Sequence, residues 1–276
     1  MELHDLQLDK PAEPSLEPPR RYPWAWIAFG ILLVLCAVGY FVFGRGDSSD
    51  RVRVTGVSPV PAKPEKTPRA LGEGAPVIDL PPLSQSDAIV RQLARELSSH
   101  PALMSWLARD DVLRGFAAAV NSVAAGRSAA AQARQLAPTG PFAVAERQGT
   151  LFIDQRSYRR YDRIADAVAS IDAQGAARLY GSLKPRLAEA HAELGVPSDF
   201  DRVLEEAFAR LLATPLLDAP VAVRPKSVGY VFADQRLEDL SPAQKQLLRM
   251  GPRNMQLIQG KLREIGLALG MQLDPQ

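Results

Sequence analysis

The chain has 276 residues, with 33 basic and 31 acidic side chains, three histidines and a single cysteine. A formal net charge of +2 excludes nucleic-acid binding driven by bulk positive charge. One cysteine excludes a disulfide framework and any site built from several thiolates.

The first 43 residues predict a tail followed by a transmembrane helix. Residues 1–23 contain five prolines and predict a disordered tail. Residues 24–43, which begin at Trp24 and end at Phe43, carry no charge, and at about 1.5 Å per residue they make about 30 Å of helix, enough to cross a bilayer. Aromatic residues at both ends are typical of the membrane interface. The alternatives are a buried core helix and a cleaved signal peptide, but no small-residue cleavage site follows the stretch.

The orientation of this span is predicted from its flanks. Three basic residues precede it and three follow it closely, so their count alone decides nothing. Arg20 and Arg21 are adjacent and almost contiguous with the span, and Cys36 inside it is the only thiol. Both features favour a single span with the tail inside the cytoplasm and the large C-terminal domain outside it.

Residues 44–82 predict a disordered linker. They contain seven prolines and little apolar periodicity. A coil of this length spans about 35 Å on average, which would separate the following domain from the bilayer.

Residues 83–276 predict one α-rich globular domain with two small β-hairpins, so the fold class of the whole chain is mainly α. The hairpins pair 142–146 with 150–153, and 221–223 with 228–232. The predicted helices begin near Ser84, Pro101, Asp110, Ser157, Ser198 and Ser241, with another through Tyr180 interrupted at Pro185 and a last one from Pro252 to Gly270.

The sequence offers no template for catalysis. His4, His100 and His191 lack ligand spacing to one another, and His191 lies between two glutamates in what is predicted to be a solvated helix face. No nucleophile elbow, phosphate-binding glycine loop or zinc-protease motif is present. We therefore predict a non-enzymatic protein with no metal site and no cofactor.

Arg160 is the first candidate binding residue. In a helix from Ser157 to Ile171, Arg160 lies at the edge of the apolar face. A half-buried guanidinium there needs a carboxylate, a carbonyl or a ligand. An internal ion pair is the simpler interpretation.

The second candidate site surrounds Pro252. Proline at the first position of a helix leaves the N–H groups of the next residues free, and helix N-termini attract anions. Arg249 and Arg253 flank this start, and Asn254 borders the apolar stripe of the last helix. The alternative is a tight helix–helix turn capped by Asp234 or Glu238.

Five segments, residues 86–107, 157–172, 211–221, 230–254 and 261–266, carry a family resemblance that covers nearly all of 83–270. They resemble a bacterial family catalogued as a domain of unknown function, number 3014 in that series. The resemblance implies a membrane-anchored protein of Gram-negative bacteria and supplies no catalytic residues.

Together with the resemblance, these features predict a single-pass protein of the bacterial inner membrane whose large C-terminal domain lies in the periplasm. Its predicted partners are the membrane and either another envelope protein or an anionic envelope component, with no nucleic acid. One alternative is a hydrolase or transferase that acts on envelope polymers through an unrecognised site. Another is a membrane-bound scaffold whose domain lies in the cytoplasm.

Overall fold

A computed structural model describes residues 70–273, which form helices and one small antiparallel sheet. The predicted tail, the predicted span 24–43 and most of the predicted linker lie outside the described residues. Among residues 70–273, no helix is both long enough and apolar enough to cross a membrane.

The described region contains ten α-helices, four strands and two 3-10 helices. The α-helices are α1 (Asp87–Arg95), α2 (Pro101–Leu107), α3 (Val112–Ala124), α4 (Gln155–Arg159), α5 (Asp162–Ala169), α6 (Ala173–Ala192), α7 (Phe200–Leu212), α8 (Gln235–Glu238), α9 (Pro242–Leu248) and α10 (Pro252–Leu269). The strands are β1 (Val144–Arg147), β2 (Thr150–Ile153), β3 (Ala222–Lys226) and β4 (Gly229–Phe232), and the 3-10 helices are Leu83–Gln85 and Ala130–Leu136.

The two predicted hairpins are present, and they join into one sheet with the order β1-β2-β3-β4. The connection is the antiparallel pairing of Leu151 with Val223 and of Phe152 with Ala222. One face of this sheet packs against α5, α9 and the first half of α10 through a hydrophobic core that includes Phe232, Leu248 and Met255. The sheet is therefore held directly beside the start of α10.

A second, larger core lies among α1, α3, α6, α7 and the end of α10. The packed domain extends N-terminally beyond the boundary predicted at Leu83, because Leu71 is only 4% exposed within this core. The backbone N–H of Gly72 also donates a 3.2 Å hydrogen bond to the carbonyl oxygen of Leu269 at the end of α10.

The segment predicted as one helix from Ser157 to Ile171 is two short helices, so that prediction is wrong. Helix α4 ends at Arg159, α5 begins at Asp162, and Arg160 is the C-cap residue of α4. The break between them lets Tyr161 turn inward, where its hydroxyl lies 3.4 Å from Gln246 of α9.

Helix α6, in contrast, continues through Pro185, where an interruption was predicted. Proline removes one backbone hydrogen bond from a helix. Tyr180, Leu183 and Leu187 are buried in the larger core on both sides of the proline. Their packing keeps the helix continuous.

The prediction that His191 lies on a solvated helix face is wrong. Its side chain on α6 is only 3% exposed. Its Nδ1 lies 2.9 Å from the amide nitrogen of Asn121, and its Nε2 lies 2.8 Å from the carbonyl oxygen of Ser198. An amide nitrogen can only donate, so Nδ1 accepts and Nε2 carries the proton. The ring is a structural link between α3 and the α6–α7 connection.

Candidate anion-binding cleft

A cleft of about 650 Å³ lies where the start of α10 meets α4 and the β1–β2 hairpin. Its polar walls carry both charges. The charged side chains that line it are Arg147, Arg159, Arg253, Asp154, Asp162 and Asp218.

The turn that opens α10 depends on Gly251. Its φ of +83° lies in the region that favours glycine, and a Cβ at this position would lie 2.4 Å from Cγ of Tyr158. Pro252 then occupies the first helical position, and the N–H of Met255 donates to the carbonyl oxygen of Gly251 at 2.9 Å. Among the described residues, the backbone N–H groups of Arg253 and Asn254 have no acceptor. Of the N–H groups predicted to be free after Pro252, those of Arg253 and Asn254 are thus available and that of Met255 is not. Arg253 and Asn254 both line the cleft.

Arg253 is part of an ion pair within the domain. Its Nη2 donates to Asp166 at 2.8 Å, and its Nη1 donates to the side-chain oxygen of Asn254 at 2.9 Å. The hydrogen bond with Asp166 is the main reason why the pKa of Arg253 is raised above its ordinary value. Its side chain thus forms one wall of the cleft with its charge already balanced.

Asn254 has a structural role. It is 1% exposed, and its side-chain amide donates to the carbonyl oxygens of Tyr158 at 3.1 Å and Met250 at 3.0 Å and to Asp162 at 2.9 Å. With Arg253 on its oxygen, every polar atom of the side chain is engaged. Only its backbone N–H remains for a ligand.

The structure does not bring Arg249 or Arg160 into the cleft. The guanidinium carbon of Arg249 lies 5.3 Å from the ring centre of Phe232, a cation–π contact. The guanidinium carbon of Arg160 lies 5.8 Å from the ring centre of Tyr161. The buried Nε of Arg160 has no hydrogen-bond partner among the described residues. The internal ion pair that seemed the simpler interpretation of Arg160 is not present in this part of the chain.

The predicted alternative, a cap on α10 from Asp234 or Glu238, is also not what the structure shows. Asp234 caps α8 by accepting from the N–H of Arg236. Glu238 accepts from the N–H of Phe232 at 3.0 Å and from Lys245 at 3.0 Å. Burial acts to raise the pKa of Glu238, but these hydrogen bonds outweigh it, so the pKa lies below its ordinary value. Neither carboxylate occupies the N-terminus of α10.

Sequence reasoning missed two of the three arginines that line the cleft. Arg147 ends β1 and Arg159 ends α4, and both are exposed and have no ion-pair partner within 4 Å among the described residues. Each looks like an ordinary surface arginine in its own element. Only the packing of the hairpin against α4 and α10 brings both to one cleft, and no local pattern signals this.

The carboxylates of the cleft are less free than its arginines. Asp154 caps α4 and is paired with Arg156 at 3.0 Å. The hydrogen bond from the Arg156 side chain is the main cause of the lowered pKa of Asp154, which keeps it ionised at neutral pH. Asp162 accepts from Asn254, so Asp218 is the carboxylate on the wall without an internal partner in the described region. Arg147 and Arg159 thus form no ion pair within 4 Å in the described region, and the charge of Arg159 contributes to the lowered pKa of Asp154. Within residues 70–273, no three histidine, aspartate or glutamate side chains are arranged to hold a metal ion.

Fold and cleft together define a mainly helical protein with a four-stranded antiparallel sheet and a polar, arginine-bearing cleft at a helix start. The chain belongs to the family described as Protein of unknown function (DUF3014), whose model matches residues 112–266. This match confirms the family resemblance seen in the sequence. No curated protein and no solved structure matches the chain.

Proposed function

We propose that this protein is a membrane-anchored, non-enzymatic binding protein of the bacterial envelope. Its C-terminal domain lies in the periplasm, and its cleft binds an anionic group of another envelope component. The observation that carries the proposal is the presence of two unpaired arginines, Arg147 and Arg159, in a cleft that also contains the start of α10.

An anionic group suits this cleft for reasons of charge and of hydrogen bonding. The free N–H groups of Arg253 and Asn254 and the positive end of the α10 dipole favour negative charge. Each charge-assisted hydrogen bond from a guanidinium to a carboxylate or phosphate contributes about 1.5–3 kcal/mol. Asp218 adds a negative charge to the same wall, so a single anionic group fits better than a polyanion.

Anion binding is tested by thermal unfolding of the full-length protein in phosphate and in chloride at the same ionic strength. Phosphate should raise the melting temperature of the wild type. The double variant Arg147→Gln/Arg159→Gln should bind phosphate at least about tenfold more weakly, because it loses charge-assisted hydrogen bonds. Arg202→Gln is the matched control, since Arg202 is exposed on α7 and pairs with Glu206 at 3.0 Å. The same phosphate effect in all three proteins, or none in the wild type, would contradict the proposal.

The membrane and periplasmic parts of the proposal are supported by the sequence, through the uncharged residues 24–43 and the adjacent Arg20 and Arg21. A reporter that is active only in the cytoplasm, fused after Gln276, should be silent. A reporter that is active only in the periplasm should be active at the same position. The reverse pattern would place the domain in the cytoplasm and remove the envelope partner from the proposal.

A further inference from the structure

The larger core of the domain contains an apolar cavity of about 300 Å³. Its wall includes side chains from α1, α2, α3, α6, α7 and α10. Val112 and Leu187 in this wall are each 2% exposed, so the inner end of the space lies in the core, and partly buried residues such as Leu103 and Leu179 form its outer end, where it opens to the surface of the domain. Such a volume is about ten times the roughly 30 Å³ that one water molecule occupies in the liquid.

The wall offers nothing to hold water. The hydroxyl of Tyr180 is already bonded to Asp201 at 2.5 Å, and the indole N–H of Trp106 donates to the carbonyl oxygen of Gln132 at 3.3 Å. The other side chains of the wall are hydrocarbon. A buried water needs two to four polar partners, so this wall gives a water molecule no stable position.

The cavity is the first of three apolar spaces in series. A second space of about 190 Å³ shares Phe116, Leu204, Phe208 and Leu262 with the first. A third of about 370 Å³ adjoins the second at Val123 and Leu211 and continues toward α9. Protein interiors are close-packed and contain few voids larger than a water molecule. Three adjoining apolar spaces therefore point to a molecule that fills them.

We infer that these spaces bind a long hydrocarbon chain of the alkyl or acyl type. The walls of the first two spaces are almost entirely hydrocarbon, whereas the third adds the polar side chains of Ser128, Tyr161 and Gln246 at its far end. The arrangement in series matches a linear chain better than a compact ring system. The chain comes either from a free fatty acid or from a membrane lipid. This inference is independent of the anion-binding cleft and of the proposed function.

The experiment is photocrosslinking in intact cells that express the full-length protein. The cells are fed a fatty acid that carries a photoreactive diazirine and an alkyne handle, and they are then irradiated. The protein is purified, digested and analysed by mass spectrometry. We expect adducts on the peptides that contain Phe116, Leu204 and Phe208. An adduct with the mass of the free acid identifies one source of the chain, and an adduct with the mass of a phospholipid identifies the other.

Two substitutions fill the space where the first two cavities meet, from different helices: Leu204→Trp on α7 and Leu262→Trp on α10. Each should reduce the adducts on these peptides at least fivefold and leave the melting temperature near that of the wild type, because the larger ring enters empty space. Leu267→Trp is the matched control on α10, since Leu267 is 67% exposed, and it should leave the adducts unchanged.

Three results would overturn the inference. One is the absence of adducts from the peptides of the helical core. Another is an equal yield in Leu262→Trp and Leu267→Trp. The third is a large fall in melting temperature in both filling variants, which would show that the space does not exist.

Discussion

The side-chain amide of Asn254 donates a 2.9 Å hydrogen bond to the carboxylate of Asp162, 92 residues earlier in the chain. The same amide reaches the carbonyl oxygen of Tyr158 at 3.1 Å. This contact joins the first turn of α10 to the break between α4 and α5. The two walls of the cleft are thereby held at a fixed separation.

Asn254→Ala should destabilise the domain by about 2–3 kcal/mol, because it leaves buried acceptors without their donor. The free energy of unfolding in urea measures this. Gln256→Ala, an exposed position on the same helix, is the control and should change the free energy little. Equal effects at both positions would show that the link between Asn254 and Asp162 does not hold the cleft.

Gly251→Ala should be markedly more destabilising than Gly149→Ala. Both glycines have positive φ, +83° and +76°, so both substitutions carry backbone strain of about 1–2 kcal/mol. Only at position 251 would the new Cβ meet a neighbour, since it would lie 2.4 Å from Tyr158, whereas nothing lies within 4 Å at position 149. Comparable melting temperatures for the two variants would contradict the close contact of Gly251 with Tyr158.

Phe208→Ala should cost about 3–5 kcal/mol, the range typical of a buried phenylalanine. Phe208 is 8% exposed and lines two of the apolar spaces, so its removal enlarges an existing void. Calorimetry should compare Phe208→Ala with Arg202→Ala, a control on the exposed face of the same helix. The comparison separates the loss of buried packing from a general effect of alanine substitution on α7. An unchanged melting temperature would place Phe208 at the periphery.

Stability should fall at alkaline pH through Tyr158. Burial raises the pKa of its hydroxyl to about 12, above the ordinary value of 10.0. Because the folded state holds this proton more tightly than the unfolded state, the contribution is fully present below pH 10 and is lost as pH rises toward 12. Between pH 9 and 12, the free energy of unfolding measured in urea should therefore fall less steeply with pH in Tyr158→Phe than in the wild type.

Tyr230→Phe is the control for this pH profile, because Tyr230 is 37% exposed. The free energy of unfolding of Tyr230→Phe should fall with rising pH as it does in the wild type. If the free energy of unfolding of Tyr158→Phe fell with pH as steeply as that of the wild type, Tyr158 would not be a source of the loss of stability at alkaline pH.

Much of the local structure could be predicted from short-range signals. Ser241 and Pro242 start α9 with a full capping box to Gln244, and the Gly251-Pro252 pair separates α9 from α10. Each of these features depends on residues within three or four positions of one another, which is the range that sequence patterns describe.

The parts that were not predicted depend on contacts between distant residues. Helix α3 was predicted to begin near Asp110, and the structure shows that it begins at Val112, whose N–H donates to Asp87 of α1 at 2.9 Å. The pairing of Leu151 with Val223 and the burial of His191 against Asn121 likewise cross 70 residues or more. The cleft follows the same rule, because Arg253 and Asn254 were found from the local Gly-Pro signal, whereas Arg147 and Arg159 come from other elements.

The two ends of α10 give the domain a mechanical polarity. The contact of Gly72 with Leu269 lies at the C-terminal end of this helix, and the cleft lies at its N-terminal end, about 25 Å away at 1.5 Å per residue. Tension applied through residue 70 would act first on the contacts of Leu71 with Asp201 of α7 and of Gly72 with Leu269 of α10. Because both contacts lie far from Pro252, we expect a pull that dislodges Leu71 from the core to leave the geometry of the cleft intact.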